Sequence, residues 1–96
     1  MSHTVLLEIN CQTGKGAEFL TALIAALADT RARAGAGVME PYVDADNPDR
    51  LFVWEKWATR ADQESYLQWR VETGFLEALA PVLAEPPRII HMTAGE

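Results

Sequence analysis

The sequence carries one cysteine, two histidines and eight Lys+Arg in 96 residues, and each scarcity removes a class of function. Cys11 has no partner within the chain, so neither a disulfide framework nor a multi-thiolate metal site can form. Eight cations against fourteen Asp+Glu leave a formal net charge of −6. That balance argues against nucleic acid, whose phosphates need clustered cations, and against docking on anionic lipid. The most apolar helical stretch, Leu20 to Ala28, falls far short of the ~20 residues that span a bilayer. Met1-Ser2-His3-Thr4-Val5 has no basic region followed by an apolar one, so no signal peptide is visible. No spacing of His, Cys, Asp or Glu repeats as a metal-ligand set. The expectation is a soluble cytoplasmic protein with no membrane contact.

What is present is apolar: 49% of the residues are hydrophobic. The length fits a single domain over residues 1–96. A monomer of this size buries only about 60–65% of the surface its unfolded chain exposes. Burial against a second copy would extend so thin a core.

The pattern along the chain reads strand, helix, strand, strand, helix, strand. From Thr4 to Gln12, Val5, Leu7, Ile9 and Cys11 alternate with Leu6, Glu8 and Asn10, the period of a pleated strand. After the Thr13–Gly16 turn, Leu20, Leu23, Ile24 and Leu27 recur at helical spacing and predict a helix of about 18–20 residues, stopped by Gly35 and Gly37. Pro41 lies inside the next strand, Val38 to Val43, and cannot donate to a ladder, so that strand belongs at an edge. Asp44 to Asp49 reads as a turn. Leu51 to Trp57 is bulky on both faces, as in a strand covered on both sides. Thr59 N-caps a second helix, Thr73-Gly74 breaks it, Phe75 to Leu83 continues it as far as Pro81 allows, and Arg88 to Thr93 ends the chain as a strand.

Two strand–helix–strand units in one small chain predict an α+β, ferredoxin-like βαββαβ sandwich: an antiparallel four-stranded sheet with both helices on one face. Parity puts Leu6, Phe52 and Trp54 on the uncovered face. An apolar face of that kind implies a homodimer with the two sheets against each other.

Leu51-Phe52-Val53-Trp54-Glu55-Lys56-Trp57, then Thr59-Arg60-Ala61, Tyr66-Leu67, Phe75 and the late proline pair, resemble the antibiotic biosynthesis monooxygenase family. So does the opening strand followed by Gly14-Lys15-Gly16-Ala17-Glu18-Phe19, and the resemblance covers essentially residues 4–93. It implies a dimeric α+β barrel. It also implies a cofactor-independent monooxygenase that oxidises a hydroxylated aromatic, such as a hydroquinone or anthrone, with O₂ and neither metal nor flavin. The family also contains haem degraders and enzymes that process a signalling molecule, so fold alone does not select the activity. The haem-degrading pattern pairs the third-strand Trp with a first-strand Asn and an axial His on the second helical segment. Here the corresponding positions are Ile9 and the histidine-free stretch Phe75 to Leu79, which argues against haem.

The resemblance makes Trp57 the first catalytic candidate, its indole N–H available to a substrate oxygen. Tyr66 stands where many relatives carry histidine. A phenol of pKa about 10 is a poor base at neutral pH but a competent hydrogen-bonding group. His91, in the last strand, titrates near neutrality and is a base candidate if it faces a pocket. Asn10 falls by parity on the face opposite Ile9. Glu55 shares the covered face with Val53 and Trp57 and must be paired or watered there, a role that Arg70, Arg88 or Lys56 of a neighbouring chain could serve. Leu7, Ile9, Val53, Glu55, Leu67, Phe75 and Leu79 are the expected substrate-binding lining. Two other readings stand beside the oxygenase: a non-oxidative protein that binds or processes a small metabolite or signal, and a dimeric domain without a small-molecule site.

Overall fold

The alternation read in the first strand is realised as a pleat with one sealed face. The computed structural model describes residues 2–96, and in it β1 (His3–Asn10) buries Val5 and Ile9 while Leu6, Glu8 and Asn10 point the other way. β3 (Asn47–Trp57) does the same over eleven residues, with Leu51, Val53, Glu55 and Trp57 on the covered side. The two strands pair antiparallel from His3↔Trp57 to Asn10↔Arg50 and form the middle of a four-stranded sheet ordered β2-β3-β1-β4. β2 (Ala36–Asp44) is an edge strand, as Pro41 requires, and its register slips between Ala36 and Met39. β4 (Arg88–Met92) forms the other edge, antiparallel to β1.

The hairpin between β2 and β3 is tighter than the sequence suggests. Strand pairing resumes at Asn47, opposite Asp44. The local bonds expected of Asx residues are present, Asp46 N–H to Asp44 Oδ1 at 2.9 Å and Asp49 N–H to Asn47 Oδ1 at 3.0 Å. They coexist with the ladder instead of replacing it.

Both helices lie on the covered face. α1 (Gly16–Arg31) is shorter than its apolar spacing suggests and ends before Gly35. Its buried stripe runs Phe19, Leu23, Leu27, Thr30, and Ile24 is 52% exposed. The helix is therefore rotated toward Phe19 and Thr30 relative to the Leu20–Ile24 face. The Asp49 carboxylate fixes its start, accepting from Gly14 N–H at 3.1 Å and Gly16 N–H at 2.9 Å. α2 (Arg60–Glu72) is capped as expected, Thr59 Oγ1 accepting from Asp62 N–H at 3.1 Å. Gly74, at φ +75°, turns the chain into α3 (Phe75–Leu79), which tightens to a 3₁₀ turn over Ala80–Val82 at Pro81.

The other sheet face carries no helix. Leu6, Phe52 and Trp54 lie there half-buried within the single chain. Two cations cover the rings, the Arg50 guanidinium 5.0 Å from the Phe52 centroid and Lys56 Nζ 5.3 Å from that of Trp54. Glu8 gathers Arg50 at 3.2 Å and Arg88 at 3.6 Å. This face is thus apolar in its middle and ionic at one end.

Candidate functional site

A cavity of about 320 Å³ lies between the covered sheet face and the helices. Leu7, Ile9, Val53 and Glu55 form its floor, α2 supplies Gln63, Tyr66, Leu67 and Arg70, and Phe75 and Leu79 close it from α3. Its size is at the lower end for small-molecule sites, about twice an apolar cavity that admits one benzene ring. Most of the lining is aliphatic or aromatic, so the few polar groups set its chemistry.

The first group is a connected cluster. Arg70 is only 5% exposed, and no carboxylate pairs with it among the described residues. Its Nε donates to Tyr66 Oη at 2.9 Å, and its Nη2 to Ala26 O at 2.9 Å and Thr30 Oγ1 at 3.3 Å. Thr30 Oγ1 and Tyr66 Oη lie 2.9 Å apart. The rings of Phe75, Trp69 and Tyr66 surround the guanidinium at 4.2, 4.6 and 5.3 Å. A buried cation is thus held by neutral acceptors and ring faces, an arrangement that favours negative charge brought nearby.

Glu55, 6% exposed, is the second group. Burial raises its carboxyl above the ordinary value of 4.5, and the bond from Trp57 Nε1 to its Oε1, 2.8 Å long, partly opposes that rise. Gln63 is the third. It is 3% exposed, and its Oε1 is the one buried side-chain polar atom without a hydrogen-bond partner among the described residues.

Eight of the ten residues expected at the site lie on the cavity wall: Leu7, Ile9, Val53, Glu55, Tyr66, Leu67, Phe75 and Leu79. Trp57 and His91 do not. Trp57 is 1% exposed and packs behind the wall, its ring 5.2 Å from Tyr66 and its N–H committed to Glu55. His91 faces His3, Nδ1 to Nε2 at 2.8 Å, off the cavity lining. Burial, followed by Arg60 and His3, pushes its pKa down. Within this chain Glu55 takes its bond from Trp57, while Lys56 donates to Thr4 Oγ1 and Arg88 pairs with Glu8. Asn10 faces away from the helices, bonded to Glu8 and Glu85.

The residues missed from sequence are Gln63 and Thr30, together with the cavity role of Arg70. Gln63, Tyr66 and Arg70 follow the i, i+3, i+7 spacing of one helix face. That signal was available, but a polar stripe among apolar residues reads first as a solvated face. Among the described residues no three His, Cys, Asp or Glu side chains converge as a metal-ligand set.

A family model for antibiotic biosynthesis monooxygenases matches residues 2–83. No curated protein matches the chain. Among solved structures, an antibiotic biosynthesis monooxygenase superposes with a TM-score of 0.85 at 16% identity, over 100% of both chains. A Pseudomonas aeruginosa protein gives 0.83 at 19% identity, covering 97% of this chain and 93% of its own. A conserved protein from Methanosarcina mazei Go1 gives 0.83 at 16%, covering 96% and 91%. At these identities the structural likeness establishes the fold, and the sequence match establishes the family. Among the described residues no helix is long and apolar enough to cross a membrane.

Proposed function

Because the chain belongs to the antibiotic biosynthesis monooxygenase family, we propose that it is a cofactor-independent monooxygenase that oxidises a hydroxylated aromatic with O₂. The observation that carries this reading is one apolar cavity holding both a buried carboxyl, Glu55, and a buried guanidinium, Arg70, that has no carboxylate partner among the described residues. Triplet O₂ reacts poorly with closed-shell carbon, so the substrate must first become an electron donor, and loss of a phenolic proton makes it one. Glu55 is the base in this scheme. Its raised pKa brings it closer to that of a phenol, and the mostly apolar lining keeps the proton transfer local.

Arg70 and the Tyr66 hydroxyl stabilise the phenolate, and Trp57 acts behind them by fixing Glu55 and Tyr66. The phenolate passes one electron to O₂, and the radical pair joins at a ring carbon bearing hydrogen. The peroxide formed takes back the proton held by Glu55, and the resulting hydroperoxide loses water to leave a carbonyl. One oxygen atom enters the product and the other leaves as water; the substrate gives up two hydrogens, one from its hydroxyl and one from that ring carbon, and four electrons, which O₂ accepts. His91, off the cavity, has no part in this scheme.

The same reading has the protein act as a homodimer joined through Leu6, Phe52 and Trp54, since the uncovered sheet face is the apolar surface the single chain leaves open. Oxygen uptake with a panel of hydroquinones, naphthols and anthrones tests the activity. Turnover is expected with at least one compound, falling roughly 10²- to 10⁴-fold in Glu55→Gln. Uptake at the uncatalysed rate throughout, or an unaffected variant, overturns it.

A further inference from the structure

The polar groups of the cavity differ in how much hydrogen-bonding capacity they keep for a ligand. Thr30, Tyr66 and Arg70 bond to one another, and Glu55 Oε1 takes the indole N–H of Trp57. Gln63 is different. Its side chain is on the cavity wall, 97% buried by its 3% exposure, and its Oε1 meets no donor among the described residues. A buried amide oxygen left unpaired costs folding free energy, which a Met or Leu of similar size in this apolar setting would not. A ligand group that bonds the amide recovers that cost on binding.

We propose that Gln63 is the specificity-determining residue of this cavity, hydrogen-bonding a second hydroxyl of a two-ring aromatic ligand. The inference rests on the oxygenase reading for what receives the first hydroxyl, Arg70 and the Tyr66 hydroxyl. A hydroxyl suits the amide because its O–H donates to the unpaired Oε1. Two rings follow from volume. An apolar cavity of about 150 Å³ admits one benzene ring, and 320 Å³ leaves half its space unfilled around a single-ring hydroquinone. Gln63 stands seven residues before Arg70 on α2, about 10 Å along the helix axis, with Leu67 between them. The wall therefore offers a ligand two polar ends and an apolar middle. A ligand with oxygen at one end alone leaves the amide buried and unpaired, and that is the source of discrimination.

Binding of 2,6-dihydroxynaphthalene and 2-naphthol, measured by calorimetry without oxygen so that neither is consumed, tests this. The wild-type protein is expected to hold the diol roughly 10- to 100-fold more tightly than the mono-ol. In Gln63→Met the diol should fall to the affinity of the mono-ol, whose own binding is unchanged, and the variant should melt no lower than wild type. Equal affinity of the two ligands for wild-type protein overturns the proposal, a comparison that needs no variant. So does a diol preference that survives in Gln63→Met or Gln63→Leu, or failure of both ligands to bind. Because the readout is binding alone, a Gln63-dependent preference without oxygen uptake in the companion assay would sink the oxygenase reading and leave this one standing.

Discussion

Trp57 Nε1 donates to Glu55 Oε1 across 2.8 Å, two residues back on the same strand, while the indole ring lies 5.2 Å from that of Tyr66. One buried side chain thus orients an acid and a phenol that both line the cavity, without lining it itself. The aromatic end-residue of β3 works as a brace behind the wall.

Trp57→Phe separates bracing from direct contact. Phenylalanine keeps an aromatic ring against Tyr66 and removes the donor, leaving a buried carboxylate oxygen unpaired. A loss of about 1–3 kcal/mol in urea unfolding is expected. The Glu55 carboxyl should titrate higher than in wild type, because the bond that opposed the rise is gone. A pH–rate midpoint unmoved by the substitution would show that the bond does not govern Glu55.

Glu55 also ties stability to pH. Its folded pKa is raised above 4.5, so between 4.5 and the folded value the native state binds more protons than the unfolded chain. Stability from this group is therefore fully present below 4.5 and falls as pH rises through that window. Glu55→Gln keeps an acceptor for Trp57 and cannot ionise. Its melting temperature relative to wild type should climb across the same window and then level. Melting curves from pH 4 to 8 decide this, and a constant offset contradicts it.

How much of this was legible in the sequence follows from what each signal encodes. Period-two alternation in β1 and β3 fixed which side chains face the helices, so Val53, Glu55 and Leu7 were placed correctly on the covered face. Pro41 placed β2 at the edge because a missing N–H has no tertiary remedy in a central strand. The rotation of α1 was not legible: Phe19 and Thr30 are buried and Ile24 is 52% exposed because packing on the sheet, not apolar spacing alone, set the helix face. Trp57 illustrates a second limit, since parity gives the face of a residue but not whether it fronts a cavity or stands behind one. Gln63 shows a third. An unpaired amide is a property of its surroundings, and no pattern of residue types encodes it.

Gly16 opens α1 where the chain passes β3, and a Cβ there would overlap the Pro48 carbonyl. The backbone on both sides is held by Asp49, through Gly14 N–H and Gly16 N–H. Relief of the clash would pull these bonds apart. Gly16→Ala should cost about 1–3 kcal/mol, the range for forced overpacking. Gly14→Ala meets no atom within 4 Å and bears only the strain of its φ of +83°. Chemical denaturation of the pair should rank Gly16→Ala as the more damaging; the reverse order would mean that the Pro48 contact yields easily.

The uncovered sheet face makes its own prediction about assembly. Trp54 lies on it half-buried, opposite Leu6 across the ladder, with Lys56 Nζ 5.3 Å from its ring. Glu at this position would place a carboxylate between two sheets, where an unpaired charge is strongly destabilising. In a single chain the same carboxylate would stay in water beside Lys56, at little cost. Trp54→Glu should therefore convert a dimer to a monomer with unchanged far-UV circular dichroism, as the buried core on the other face is untouched. Light scattering reads the mass directly. If wild type is already a monomer at micromolar concentration, or if the variant stays dimeric, the two sheets do not meet through this face.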